Sequence, residues 1–118
     1  MSYDISLCDQ VNGEVLELDA PHQMRGGTCV MGSTPKAWLN VTYNYHKHFR
    51  ATMGAEGIRA VYGLTGADSI PILSRAIDAL GDDADDDYWT PTEGNAKRAL
   101  TQLRALAQLR PDGVWVGD

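Results

Sequence analysis

The sequence predicts an α+β fold in which an N-terminal β-hairpin packs on a small helical bundle. Three observations carry that prediction. Apolar residues alternate with a period of two near the start, an Asn-Gly pair separates two such runs, and two later stretches carry apolar residues at helical spacing. The length of 118 residues fits a single domain spanning 1–118. A chain of this size buries roughly two-thirds of the surface that it exposes when unfolded, so its core needs no metal, cofactor or disulfide.

Taken in order, Tyr3, Ile5 and Leu7 alternate with Asp4, Ser6 and Cys8, and Leu16 and Leu18 alternate with Glu17 and Asp19. Asn12-Gly13 lies between them and favours a tight reversal, so residues 2–19 read as the hairpin. An isolated hairpin is marginal in water, and its apolar face of Ile5, Leu7, Leu16 and Leu18 must be covered by helices. Residues 20–36, with Pro21, Gly26, Gly27, Gly32 and Pro35, read as a long ordered loop. For 37–45 the residues fit both a strand (Leu39, Val41, Tyr43, Tyr45) and a helical stripe (Trp38, Val41, Tyr45, Phe49, Met53). The longer pattern favours a helix over about 40–53, ended by Gly54.

Thr65 and Asp68 have capping-box spacing, Pro71 sits in the opening turn, and Ile70, Leu73, Ile77 and Leu80 share one face, which predicts a helix ending at Gly81. An acidic stretch follows, with Asp82, Asp83, Asp85, Asp86 and Asp87. Thr92 caps the last helix, whose core face is Ala96, Ala99, Leu100, Leu103, Leu106 and Ala107 and whose stop is Pro111-Asp112-Gly113. Val114-Trp115-Val116 is expected to fold back on the core.

Ten Lys and Arg against sixteen Asp and Glu give a net charge of −6, a field that repels phosphate backbones and anionic membrane surfaces. Nucleic acid and membrane are therefore not expected as partners. No apolar run reaches bilayer length, the opening Met-Ser-Tyr-Asp lacks the regions of a signal peptide, and Cys8 and Cys29 are expected as reduced thiols, so the expected location is cytoplasmic. A homo-oligomer is compatible with all of this.

No metal site and no catalytic residue are assigned. His46 and His48, two apart, have no Cys or Glu at a supporting spacing, and the acidic stretch lacks the glycine and closing glutamate of an EF-hand loop. Gly26-Gly27-Thr28 has neither P-loop nor Rossmann spacing. The set that suits a ligand is Asn40, Thr42, Tyr43 and Asn44 at one predicted helix opening and Tyr88, Trp89, Thr92, Glu93 and Asn95 at another. Aromatic faces stack on flat ligands, amides read donors and acceptors, and Arg25 would supply the counter-charge for a phosphate. The same residue types equally suit helix caps and core aromatics, and the sequence leaves both open.

Asn40-Val41-Thr42-Tyr43-Asn44 and Trp89-Thr90-Pro91-Thr92-Glu93 resemble an uncharacterised group of small proteins common in tailed bacteriophages and prophages. The likeness also takes in 2–18, the stretch 21–28 and Arg110-Pro111-Asp112-Gly113. Proteins with an Asn-Ile-Thr-His-Asn motif are more distantly similar, and Tyr43 stands where they have histidine. The resemblance implies a phage accessory protein in a host cytoplasm. The expected function is then to bind and sequester a small polar ligand without chemistry, such as a nucleotide-derived signal of antiviral defence. The alternative is an inhibitor module that engages a host protein through its acidic surface.

Overall fold

Tyr3, Ile5 and Leu7 do turn one face of a strand into the core, with Asp4 exposed between them. The structure, a computed structural model, describes residues 2–23 and 33–118. Its first strand, β1 (Ser2–Cys8), is the centre of an antiparallel three-stranded sheet, flanked by β4 (Trp38–Thr42) and β5 (Val114–Gly117). Tyr3 pairs with Val41, Ile5 with Leu39, and Leu7 with Trp115. The sheet packs on α1 (His46–Met53), α2 (Gly66–Ala79) and α3 (Glu93–Leu109), the expected α+β arrangement.

The reversal after β1 forms where Asn-Gly predicts it. Asp9 Oδ1 accepts the N–H groups of Val11 and Asn12, and Gly13 takes a φ of 75°, which costs a glycine nothing. The second arm, however, leaves β1 after a single bridge between Cys8 and Val15. It runs as β2 (Glu17–Gln23) and pairs with β3 (Ser33–Lys36) in a separate two-stranded sheet. At the branch, Leu7 N donates to Ala37 O, Ala37 N to Leu16 O, and Leu16 N to Leu7 O. The cause is competition for the two edges of β1. Leu39, Val41 and Trp115 bury almost completely there, whereas Leu18 on the second arm stays half-buried beside exposed Glu17 and Asp19.

Two further expectations are corrected. The described parts of 20–36 are strand, not loop. Residues 40–42 are also strand, and helix α1 begins at His46 after a 3₁₀ turn over Tyr43–Tyr45. The two competing patterns therefore divide the stretch between them: period two holds to Val41, and the helical stripe holds from Tyr45 through Phe49. Thr42 makes the switch, with extended backbone (ψ 139°) and its hydroxyl accepting from Asn44 N. Gly54 ends α1 as expected.

Thr65 caps α2 by accepting from Asp68 N. Pro71 lies at the sixth helical residue and not in the opening turn, so the Ala67 carbonyl lacks its usual i+4 donor. The start of α2 is tied to the C-terminal stop through Gly66 N to Gly113 O and Ala67 N to Pro111 O. Trp115 on β5 is buried and donates its indole N–H to buried Ser69 Oγ on α2 at 2.7 Å, so the polar tip of this core aromatic is satisfied. Cys8 is buried, and burial pushes its thiol pKa up, while Cys29 lies outside the described residues.

On α3, Ala96, Ala99, Leu100, Leu103, Leu106 and Ala107 are buried as the helical spacing predicts. Leu103→Ala should cost about 2–5 kcal/mol of stability, the range for opening a cavity at a closed core position. Urea unfolding of the variant measures it, and a loss under about half a kcal/mol would exclude Leu103 from the core.

Candidate functional site

Helix α3 opens on four residues that each hold something. Thr92 Oγ1 accepts from Asn95 N at 3.1 Å, and Glu93 Oε1 accepts from Gly81 N at 3.1 Å. Gly94 admits the chain directly against the helix: a Cβ there would stand 2.5 Å from Ala84 N. Asn95 is completely buried. Its Oδ1 accepts from Asp85 N at 3.0 Å, and its Nδ2 donates to Asp87 O at 3.0 Å and Thr90 O at 2.9 Å.

A second set of side chains reaches the same segment from the start of α1. Asn44 Nδ2 donates to Trp89 O at 2.9 Å, Tyr45 Oη donates to Tyr88 O, and His48 Nε2 lies 2.7 Å from Pro91 O. A carbonyl can only accept, so Nε2 of His48 carries the proton. Combined with Asn95, these bonds engage every carbonyl from 87 to 91 with a side-chain donor. Tyr88 is buried, returns a contact by accepting Thr42 N, and packs edge-on to Tyr45 at 5.6 Å. Asp85 and Asp87 fold their carboxylates back onto Asp87 N and Trp89 N.

This scaffold presents rather than encloses. Trp89 stands edge-on to Tyr88, with centroids 4.9 Å apart, and is 47% exposed. The aspartates 82, 83, 85, 86 and 87, which precede it in the chain, are all exposed. Asp82 is the one anchored to α3, its Oδ1 2.7 Å from Lys97 Nζ, and that bond lowers its pKa.

Five of the sequence-predicted site residues, Asn44, Tyr88, Trp89, Thr92 and Asn95, thus meet around one segment, and Glu93 fixes its approach. Thr42 contributes through its backbone N–H to Tyr88 and caps the 3₁₀ turn with its hydroxyl. Asn40 is engaged elsewhere, donating to Ser2 Oγ and Asp4 Oδ1, both at 2.9 Å. Tyr43 stacks on His46 at 4.6 Å and against Tyr3. Arg25 lies outside the described residues. None of the described residues of this set lines the surface grooves of about 490, 200 and 300 Å³. Among the described residues, no group of three or more His, Cys, Asp and Glu is placed to hold a metal.

Tyr45, His48, Asp85 and Asp87 are the members that sequence reading did not assign to the site. Their signal was weak, since Tyr45 read as part of an apolar stripe and His48 as half of a histidine pair. No family model, curated protein or solved structure matches the chain.

Asn95→Ala should destabilise by about 1–3 kcal/mol, because it removes the acceptor of Asp85 N and the side-chain donor that Asp87 O and Thr90 O share, leaving those carbonyls only Thr90 N and Thr92 N. Urea unfolding reads the loss, and amide exchange at Asp85 should accelerate; an unchanged stability would mean that Asn95 does not hold the segment. Stability should also fall in acid. Asp82, Asp9 and Asp112 all have lowered pKa values, held by Lys97, by the N–H groups of Val11 and Asn12, and by Arg110. A depressed folded pKa adds stability above the unfolded value of about 3.9 and loses it as pH falls through the folded one. Melting temperature should therefore drop below about pH 4, and less so in Asp82→Asn.

Proposed function

We propose that the chain is a non-catalytic protein-binding module that engages a basic partner through Trp89 and the aspartates beside it. The observation that carries this reading is the set of side-chain donors on the carbonyls of 87–91, which fixes the backbone that bears an exposed indole, close in sequence to five exposed aspartates. A tryptophan held in advance loses little freedom on binding, and aromatic anchors of this kind carry most of the energy in protein interfaces. The surrounding negative charge steers a basic partner and rejects acidic ones. The setting we propose, from the stretches 40–44 and 89–93, is that of a phage or prophage accessory protein acting on a host partner.

A fluorescein-labelled oligo-arginine peptide serves as the probe, with binding followed by anisotropy. Binding should be saturable and weaken with salt, and Trp89→Ala should reduce affinity roughly tenfold or more while the melting temperature holds. If Trp89→Ala binds like the parent, the attraction is merely that of an acidic surface and the reading fails. If ATP, and not the peptide, perturbs Trp89 emission, the segment serves the small polar ligand expected from the sequence.

A further inference from the structure

A surface groove of about 490 Å³ lies between α3 and the chain at 82–84, and Asp82, Lys97, Arg98, Thr101 and Gln102 are the polar side chains that line it. Its wall is fixed at several points. Glu93 holds Gly81 N, Lys97 holds Asp82, Asn95 holds Asp85 N, and Gly94 lets the backbone at Ala84 lie on the helix. A groove of this volume suits a ligand of metabolite or nucleotide size. Of its charged residues, Asp82 and Lys97 neutralise each other at 2.7 Å, which leaves Arg98 to give the groove one net positive charge on a chain of net −6. Among the described residues no carboxylate forms an ion pair with Arg98, which is exposed. Lys97 Nζ bonds Asp82 Oδ1 at 2.7 Å and, more weakly, Leu80 O at 3.4 Å, which uses two of its three N–H groups.

We infer that this groove binds an anionic small molecule, with a phosphate or carboxylate group on Arg98 and the remaining N–H of Lys97. The guanidinium presents two parallel donors to two oxygens of such a group, a charge-assisted pairing about twice as strong as a neutral one. The exposed aspartates of 83–87 oppose the anion, but across water and salt their effect decays over about 8–10 Å, whereas the guanidinium acts in contact. The site does not depend on the partner surface at Trp89, and neither result decides the other.

Citrate and adenosine 5′-monophosphate are the probes, one for each anionic group, titrated into ¹⁵N-labelled protein at constant ionic strength. Saturable shifts at the amides of Gly94, Arg98 and Gln102 are expected with one or both. Arg98→Ala should weaken binding roughly tenfold, and Arg75→Ala, on exposed α2 surface outside the groove, should leave it unchanged. Response to the monophosphate alone assigns phosphate, and response to citrate alone assigns carboxylate. Absence of saturable shifts with both probes, or equal binding by the Arg98→Ala protein with its melting temperature intact, overturns the inference.

Discussion

Backbone carbonyls that no helix or sheet engages must find other donors, and each carbonyl of 87–91 takes one from a side chain, with Thr90 N and Thr92 N adding backbone bonds to Asp87 O and Thr90 O. Asn44, Tyr45 and His48 arrive from one side and Asn95 from the other, so a connection between α2 and α3 is tied to the opening of α1. The tie reaches the sheet as well, because Tyr88 accepts Thr42 N at the end of β4. Asn95 matters most in this set, since it is fully buried and has no water to replace a lost partner.

The sheet obeys a different constraint. A strand has two edges, and β1 gives both to the strands with the most apolar area to bury. One partner comes from residues 38–42 and the other from the far end of the chain, so both pairings are long-range, and all three helices lie between β1 and the second partner. Trp115 illustrates the coupling: its ring fills the core beneath β1, and its indole N–H ends on Ser69 at the start of α2. The second arm of the hairpin, more polar, is left to pair with β3 in a smaller sheet.

Charge is distributed to match these two roles. The exposed aspartates of 82–87 lead into the tied segment, and the first of them, Asp82, lines the groove with Arg98 and with Lys97, to which it is paired. An exposed ion pair of this kind contributes little to stability. Its consequence is positional, because it fixes the approach of 82–84 to α3 and thereby both the groove wall and the start of the acidic face.

The sequence by itself determined the α+β class, the turn at Asn12-Gly13, the whole of α2 and α3 with their caps, and the return of Val114–Val116 to the core. Each of these follows from local chemistry: a cap bonds three residues away, and a helical stripe repeats within one turn. The strand partners of β1, the strand at 38–42 and the purpose of Asn44 and Asn95 were decided by tertiary structure. An alternating run states which face is buried but not which edge wins, since that depends on apolar area supplied by distant residues. Asn44 and Asn95 were legible as residues that bond something, and their type suited a ligand as well as a carbonyl. Which of these they hold depended on the path of 87–91, and a segment without periodicity leaves no trace of its path in the sequence.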